Sequence, residues 1–185
     1  MTVQPFLMDV TEVTADAYAG CVRAGGCTAE GLQCHAFATY GARGKGNHPI
    51  NCVDWNQATA YCQWAGSRLP TEEEWEWAAC GGSRARTYPW GNDAPGSQAC
   101  WNRPNAGTCA VGSYPAGDAP GGIHDLAGNV SEWTTSNYDA SASYRVFRGG
   151  DFGNSAPGLL ASSRYGSGPP TVRIGDLGFR CSRTP

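Results

Sequence analysis

The stretch RLPTEEEWEWAACGG, residues 68–82, decides how the rest of the chain is read. Thr71 followed three residues later by Glu74 is a capping box: each side chain can satisfy a free backbone N–H of the other at a helix start. Glu72, Glu73 and Glu74 place negative charge at the positive end of the helix dipole, so capping is the role assigned to this triplet. Gly81 and Gly82 end the helix. Just upstream, Asn56 reads as an N-cap, and Ala58, Tyr61, Cys62 and Ala65 recur at i, i+3, i+4 and i+7 before Gly66 in the C′ position. Both helices span about ten residues, too few to be stable alone. Trp64, Trp75 and Trp77 are therefore expected to pack into a core.

Outward from these helices the signals are of short strands and turns. Residues 6–14 alternate and read as a strand, 24–50 as a long loop, and 48–55 as a short buried strand leading into the first helix. After Thr87 come a turn at YPWGN (88–92), strand and turn at RVFRGGDF (145–152), and a last strand at DLGFRC (176–181). Neither an internal repeat nor a linker divides the 185 residues, which predicts one domain over 1–185. With 26 Gly and 12 Pro the expectation is an α+β, loop-rich fold with two short helices.

Charge and hydropathy exclude some partners. The net charge is −3 with 13 Lys and Arg and no basic cluster, which argues against nucleic acid. No apolar run reaches the roughly 18–20 residues of a membrane helix. Nine cysteines, with Cys21, Cys27, Cys34 and Cys52 close together, fit a disulfide framework of an oxidising compartment. A zinc site is the rival, but there is no CxxC pair and only His35, His48 and His124 could assist. The expected location is extracytoplasmic, periplasmic or secreted, with a signal or anchor segment outside this sequence.

In order and spacing, EVT (12–14), HPINCVDW (48–55), AYCQWAGSRLPTEEEWEWAACGG (60–82), YPWGN, VGSYPAG (111–117), GIHDLAGNVSEW (122–133), RVFRGG and LGFRC together resemble the formylglycine-generating, sulfatase-modifying-factor family. The resemblance implies a C-type-lectin-like fold with small antiparallel sheets, braced by disulfides. It implies Cys62 bonded to Cys181. Local spacing then suggests Cys100 with Cys109, and Cys21, Cys27, Cys34 and Cys52 supply two further bonds of open connectivity. Cys80 is left as the free thiol, buried and inert at a helix end. The resemblance also implies a structural calcium ion held by the side chains of Asp125 and Glu132 and the carbonyls of Gly128 and Val130, since calcium takes six to eight hard oxygens.

The family's chemistry oxidises a substrate cysteine with copper held by two thiolates shortly after the RGGS motif, soft donors that suit Cu(I). Here that stretch is RGGDFGNSAPGLLASSRYGSG (148–168), which holds no cysteine. Asn154 and Leu159 fall near the thiolate positions. No copper is therefore expected, and no catalytic residue is assigned. Arg148, Arg164 and Arg180 are read mainly as partners of carbonyls and core carboxylates. The expected function is a non-catalytic module that binds a protein or small ligand, with Asp151, Asn154, Ser155, Arg164 and Tyr165 as its ligand surface. Residues 148–181 are also similar in form to the diversified segment of retroelement variable proteins. The alternative is an oxidative maturation enzyme acting on a peptide or small molecule.

Overall fold

Thr14 opens the first helix of the chain, α1 (Ala15–Arg23), where its Oγ1 accepts from the N–H of Ala17 at 3.2 Å. The computed structural model describes residues 3–164 and 166–185. Sequence patterning had expected two helices and the structure adds this third. Its local signals are a capping Thr, Asp16 in the first turn and Arg23 in the last. Ala15, Tyr18 and Val22, with Cys21 beside them, recur at i, i+3 and i+7, a stripe made mostly of small residues. Tertiary burial of Ala15, Tyr18 and Cys21 holds it in place.

Helix α2 (Trp55–Trp64) is capped by Asp54, not by Asn56 as the pattern suggested. Asp54 Oδ1 accepts from Gln57 N, and Gln57 Oε1 accepts from Asp54 N. A competent capping residue stood two places earlier and won because Gln57 completes the reciprocal pair. Gly66, at φ +72°, closes the helix with its N–H donating to Gln63 O. Helix α3 (Glu72–Ala79) has the expected capping box of Thr71 and Glu74. Of the three tryptophans assigned to the core, Trp75 is fully buried, Trp77 is half-buried and Trp64 is 47% exposed. Trp64 sits at the end of α2, and its ring covers Gly26 and meets Tyr61 rather than entering the interior.

Two small sheets complete the frame. β1 (Leu7–Met8) pairs antiparallel with β6 (Ser182–Arg183), so the chain's two ends meet. The expected strand over 6–14 shrinks to these two residues and a bridge at Thr14. The larger sheet has the order β4 (Gly166–Gly168), β3 (Arg145–Arg148), β2 (Ser131–Asn137), β5 (Leu177–Gly178). It is not wholly antiparallel: β2 and β5 run parallel, because the chain returns to β2's free edge after crossing the whole C-terminal loop. One core cluster gathers Tyr18, Tyr61, Trp133 and Phe179, with Tyr18 and Tyr61 stacked at 5.6 Å. A second surrounds Trp75 and Leu126.

Four disulfides cross this frame. Cys62 on α2 is bonded to Cys181, and Cys100 to Cys109. The four cysteines of open connectivity pair as Cys21–Cys27 and Cys34–Cys52. Cys80 is unbonded and half-buried, and burial raises its thiol pKa, so the thiolate is disfavoured. Among the described residues no helix is long and apolar enough to cross a membrane.

Candidate functional site

Strand β2 sets the site because its two faces carry opposite chemistry. Glu132 points inward and Ser131 points the other way, toward a cleft. Glu132, fully buried, receives the Arg180 guanidinium in a two-pronged pair, Nε to Oε2 at 2.8 Å and Nη2 to Oε1 at 2.7 Å. Trp75 Nε1 donates to the same Oε2 at 2.9 Å. Arg180 spends its other N–H groups on the carbonyls of Asp9, Val10 and His124.

The side chains of the expected calcium loop already have protein partners. Both oxygens of Glu132 are committed to nitrogen donors, and Asp125 Oδ2 accepts from the Gly112 N–H at 2.6 Å. Gly128 and Val130 lie at the buried entry to β2, with Gly128 donating to Gly149 O. Among the described residues no three His, Cys, Asp or Glu side chains are grouped to hold a metal ion. The cation among these carboxylates is Arg180 itself: Glu132, Glu12 and Asp125 all act on its charge. The sequence signal for that partnership was the fixed pair GNVSEW and LGFRC, not the spacing of Asp125 and Glu132. Glu12 was missed altogether. It is 1% exposed with both carboxyl oxygens unpartnered, and burial, then Asp125, lifts its pKa well above the ordinary range.

On the opposite face of β2 lies a cleft of two adjoining cavities, about 290 and 370 Å³, which share Asp151, Ile174 and Asp176 as their common wall. Asp151 follows the turn after β3. There Gly150, at φ +69°, brings its backbone so close to Gly158 O that a Cβ would stand 2.7 Å from it. Asp176 is delivered by β5, where its carbonyl accepts from Ser131 N at 2.8 Å. Asp151 Oδ1 accepts from Gly153 N at 2.7 Å, and Oδ2 from Asn154 Nδ2 at 2.5 Å. These neutral donors do not offset burial. Desolvation first, and the Asp176 charge second, push the Asp151 pKa up to about 6, and burial also raises that of Asp176.

The folded state therefore holds the Asp151 proton more tightly than the unfolded chain does. The stability lost by ionising this buried carboxyl should accrue as pH climbs from about 4 to about 6, on the order of 2–3 kcal/mol, and persist above. Asp151→Asn is expected to recover much of that at neutral pH and none at pH near 4. Thermal melts of both proteins across that window check it, and parallel curves would refute it.

The predicted ligand surface divides. Asp151 and Asn154 line the cleft; Ser155 is exposed beside a short 3-10 turn and does not. Arg164 is withdrawn from ligand duty: its Nε pairs with Glu72 at 2.8 Å, and its guanidinium lies 4.7 Å above the Tyr138 ring. Tyr165 lies outside the described residues. Asp176 and Ser131 also line the cleft; Ser131 carried no sequence signal, and Asp176 lay in the variable-protein-like segment but outside the expected ligand surface, since only the parallel β2–β5 pairing brings both beside Asp151. At the positions where the resemblance placed thiolates, Asn154 holds Asp151 and Leu159 is buried against Tyr88 and Ala127. An amide and an alkyl group do not fit Cu(I).

Comparison with known proteins agrees with this frame. The chain is 38% identical over 166 residues to the cattle (Bos taurus) "Inactive C-alpha-formylglycine-generating enzyme 2", covering 77% of this chain and 52% of that protein. It is 38% identical over 171 residues to the "Formylglycine-generating enzyme" of Streptomyces coelicolor, covering 75% and 54%. The chain thus spans about half the length of these curated relatives. In three dimensions it resembles Treponema denticola variable protein 1 with a TM-score of 0.77 at 24% identity, over 97% of this chain and 84% of that one. That likeness establishes the C-type-lectin-like fold. The model of the sulfatase-modifying factor enzyme 1-like domain matches residues 1–185, and it is to this formylglycine-generating-enzyme family that the chain belongs.

Proposed function

We propose that this chain is a non-catalytic binding module on a formylglycine-generating-enzyme scaffold, and that the Asp151–Asp176 cleft is its contact surface. The observation that carries the reading is the pair Asn154 and Leu159. Where the family's copper chemistry needs two sulfur donors, one residue is an amide engaged with Asp151 and the other is a core side chain. The 38% identity to a relative named inactive supports the same view. So does the uncompensated charge of the cleft, since perturbed carboxyls gather at functional sites.

Four disulfides support an oxidising, extracytoplasmic setting. The likeness to a variable protein supports a surface that recognises a macromolecule or small ligand; a diversified C-terminal loop would be shown by a template repeat beside a reverse transcriptase in the DNA. The test is direct. Purified protein supplied with copper, oxygen and a cysteine-bearing peptide is expected to form no aldehyde and to retain no stoichiometric copper. A structural calcium ion at Asp125, Glu132 and the Gly128 and Val130 carbonyls belongs to this reading, and EDTA is expected to lower the melting temperature if it is bound. Aldehyde formation would end the non-catalytic reading, and a melting temperature that EDTA leaves untouched would remove the structural ion.

A further inference from the structure

We infer that the cleft takes a positively charged organic group, a primary ammonium or guanidinium on an aliphatic stem, held between Asp151 and Asp176 with Ser131 Oγ as a further acceptor. The inference rests on the reading of the cleft as a contact surface and adds the class of ligand.

Three independent features carry it. The first is an imbalance of charge. Every other strong charge bordering the cleft has its partner elsewhere: Arg148 is paired with Glu72 and Glu76, and Arg173 with Asp54 at 2.7 Å. His35 lines the second cavity near Asp176, and its Nδ1 accepts from Phe37 N. Asp151 and Asp176 share one wall, Asp151 with neutral donors only and Asp176 with His35 alone favouring its charge, an arrangement that repels an anion and attracts a cation.

The second is Ser131. Its residue is 7% exposed, yet its hydroxyl makes no hydrogen bond among the described residues and lines the first cavity. A hydroxyl on the wall of a cavity with no protein partner can accept from a ligand's donor. The third is shape. Phe147 and Ile174 form apolar walls, and glycines at 149, 150, 158 and 166 leave room beside the carboxylates. The two volumes suit a side-chain-sized guest. A bare metal ion suits the cleft less well, because no three acidic, histidine or cysteine side chains among the described residues converge on one point.

The experiment titrates the full chain near neutral pH, by calorimetry and by NMR shifts of the cleft residues. Its probes are agmatine, Nα-acetyl-lysine amide, the neutral Nα-acetyl-norleucine amide, and calcium chloride. Both cations are expected to bind and shift the Ser131 and Asp176 amides, with the neutral probe at least about tenfold weaker. Asp151→Asn combined with Asp176→Asn should weaken the cations about tenfold or more while circular dichroism stays native-like and the melting temperature does not fall. Should that double variant misfold, Asp176→Asn alone carries the test, with a loss of several-fold expected. Binding of the neutral probe as tightly as the cations, unchanged cation binding by the folded variant, no cation binding at all, or calcium alone occupying the cleft would each overturn the inference. A cleft that binds the neutral probe refutes the charge assignment and spares the binding-module reading, whereas aldehyde formation on a cysteine peptide removes the reading underneath.

Discussion

Arg180→Ala should be among the most damaging single substitutions in this protein, with a loss of about 3–5 kcal/mol in unfolding free energy. The side chain is fully buried and makes five hydrogen bonds: two to Glu132 and one each to the carbonyls of Asp9, Val10 and His124. Truncation leaves Glu132, at 0% exposure, as a buried carboxylate with only Trp75 Nε1 for support. It also removes the guanidinium whose charge lowers the pKa of both Asp125 and Glu12 against their burial. Breaking a buried pair is far more costly than replacing both members, because the survivor keeps its desolvation penalty. Arg180→Met combined with Glu132→Leu is therefore expected to be more stable than either single variant. Urea denaturation of the four proteins closes the cycle. A single-variant loss under about 1 kcal/mol, or strictly additive losses, would show that the pair does not hold the core together.

Removing the Cys62–Cys181 disulfide, with Ala at both positions, should cost about 4–5 kcal/mol in the chain-entropy account, because the bond closes a loop of 119 residues. Losing Cys21–Cys27, whose separation is 6, should cost only about 2 kcal/mol on the same scale. The long bond fixes α2 to the segment that also carries Arg180, so its loss should lower the melting temperature most and expose the β1–β6 pairing to exchange. Denaturing thiol titration of the intact protein should count one thiol, from Cys80. Three or more thiols would overturn the pairing, and equal losses for the long and short bonds would overturn the entropic ranking.

How much of this could be read in the chain follows the range of the interactions concerned. The capping box of Thr71 and Glu74 spans three residues, and it was legible because both partners sit in one turn. The N-cap of α2 was misplaced by two residues because Asp54 and Asn56 are chemically similar, and the deciding contact, Gln57 to Asp54 N, was not weighed. Helix α1 carries an apolar face in Ala15, Tyr18 and Cys21, but at nine residues, most of them small, it depends on what packs over it. The family motifs carried the fold class across the whole chain. They marked Asp125 and Glu132 as ion ligands, and only the fold shows that Arg180 also lies against the Glu132 carboxylate.

Arg164 and Ser155 illustrate the same limit at the ligand surface. Both lie in the polar loop that pattern and family resemblance marked, yet one is clamped by Glu72 and the other faces away from the cleft. Asp176 lay outside the marked surface, and it walls both cavities beside Asp151.

The amino-acid order alone determined where α3 begins and ends and that no thiol stands between residues 148 and 168, because capping and ligand identity are written in the local residues themselves. Only the tertiary structure decided which charges are spent and which are free. Arg180 reaches Glu132 across 48 residues, and Asp176 comes to face Asp151 through a parallel strand pair. The strength and consequence of such electrostatics depend on burial and distance between remote segments, quantities that no spacing along the chain encodes.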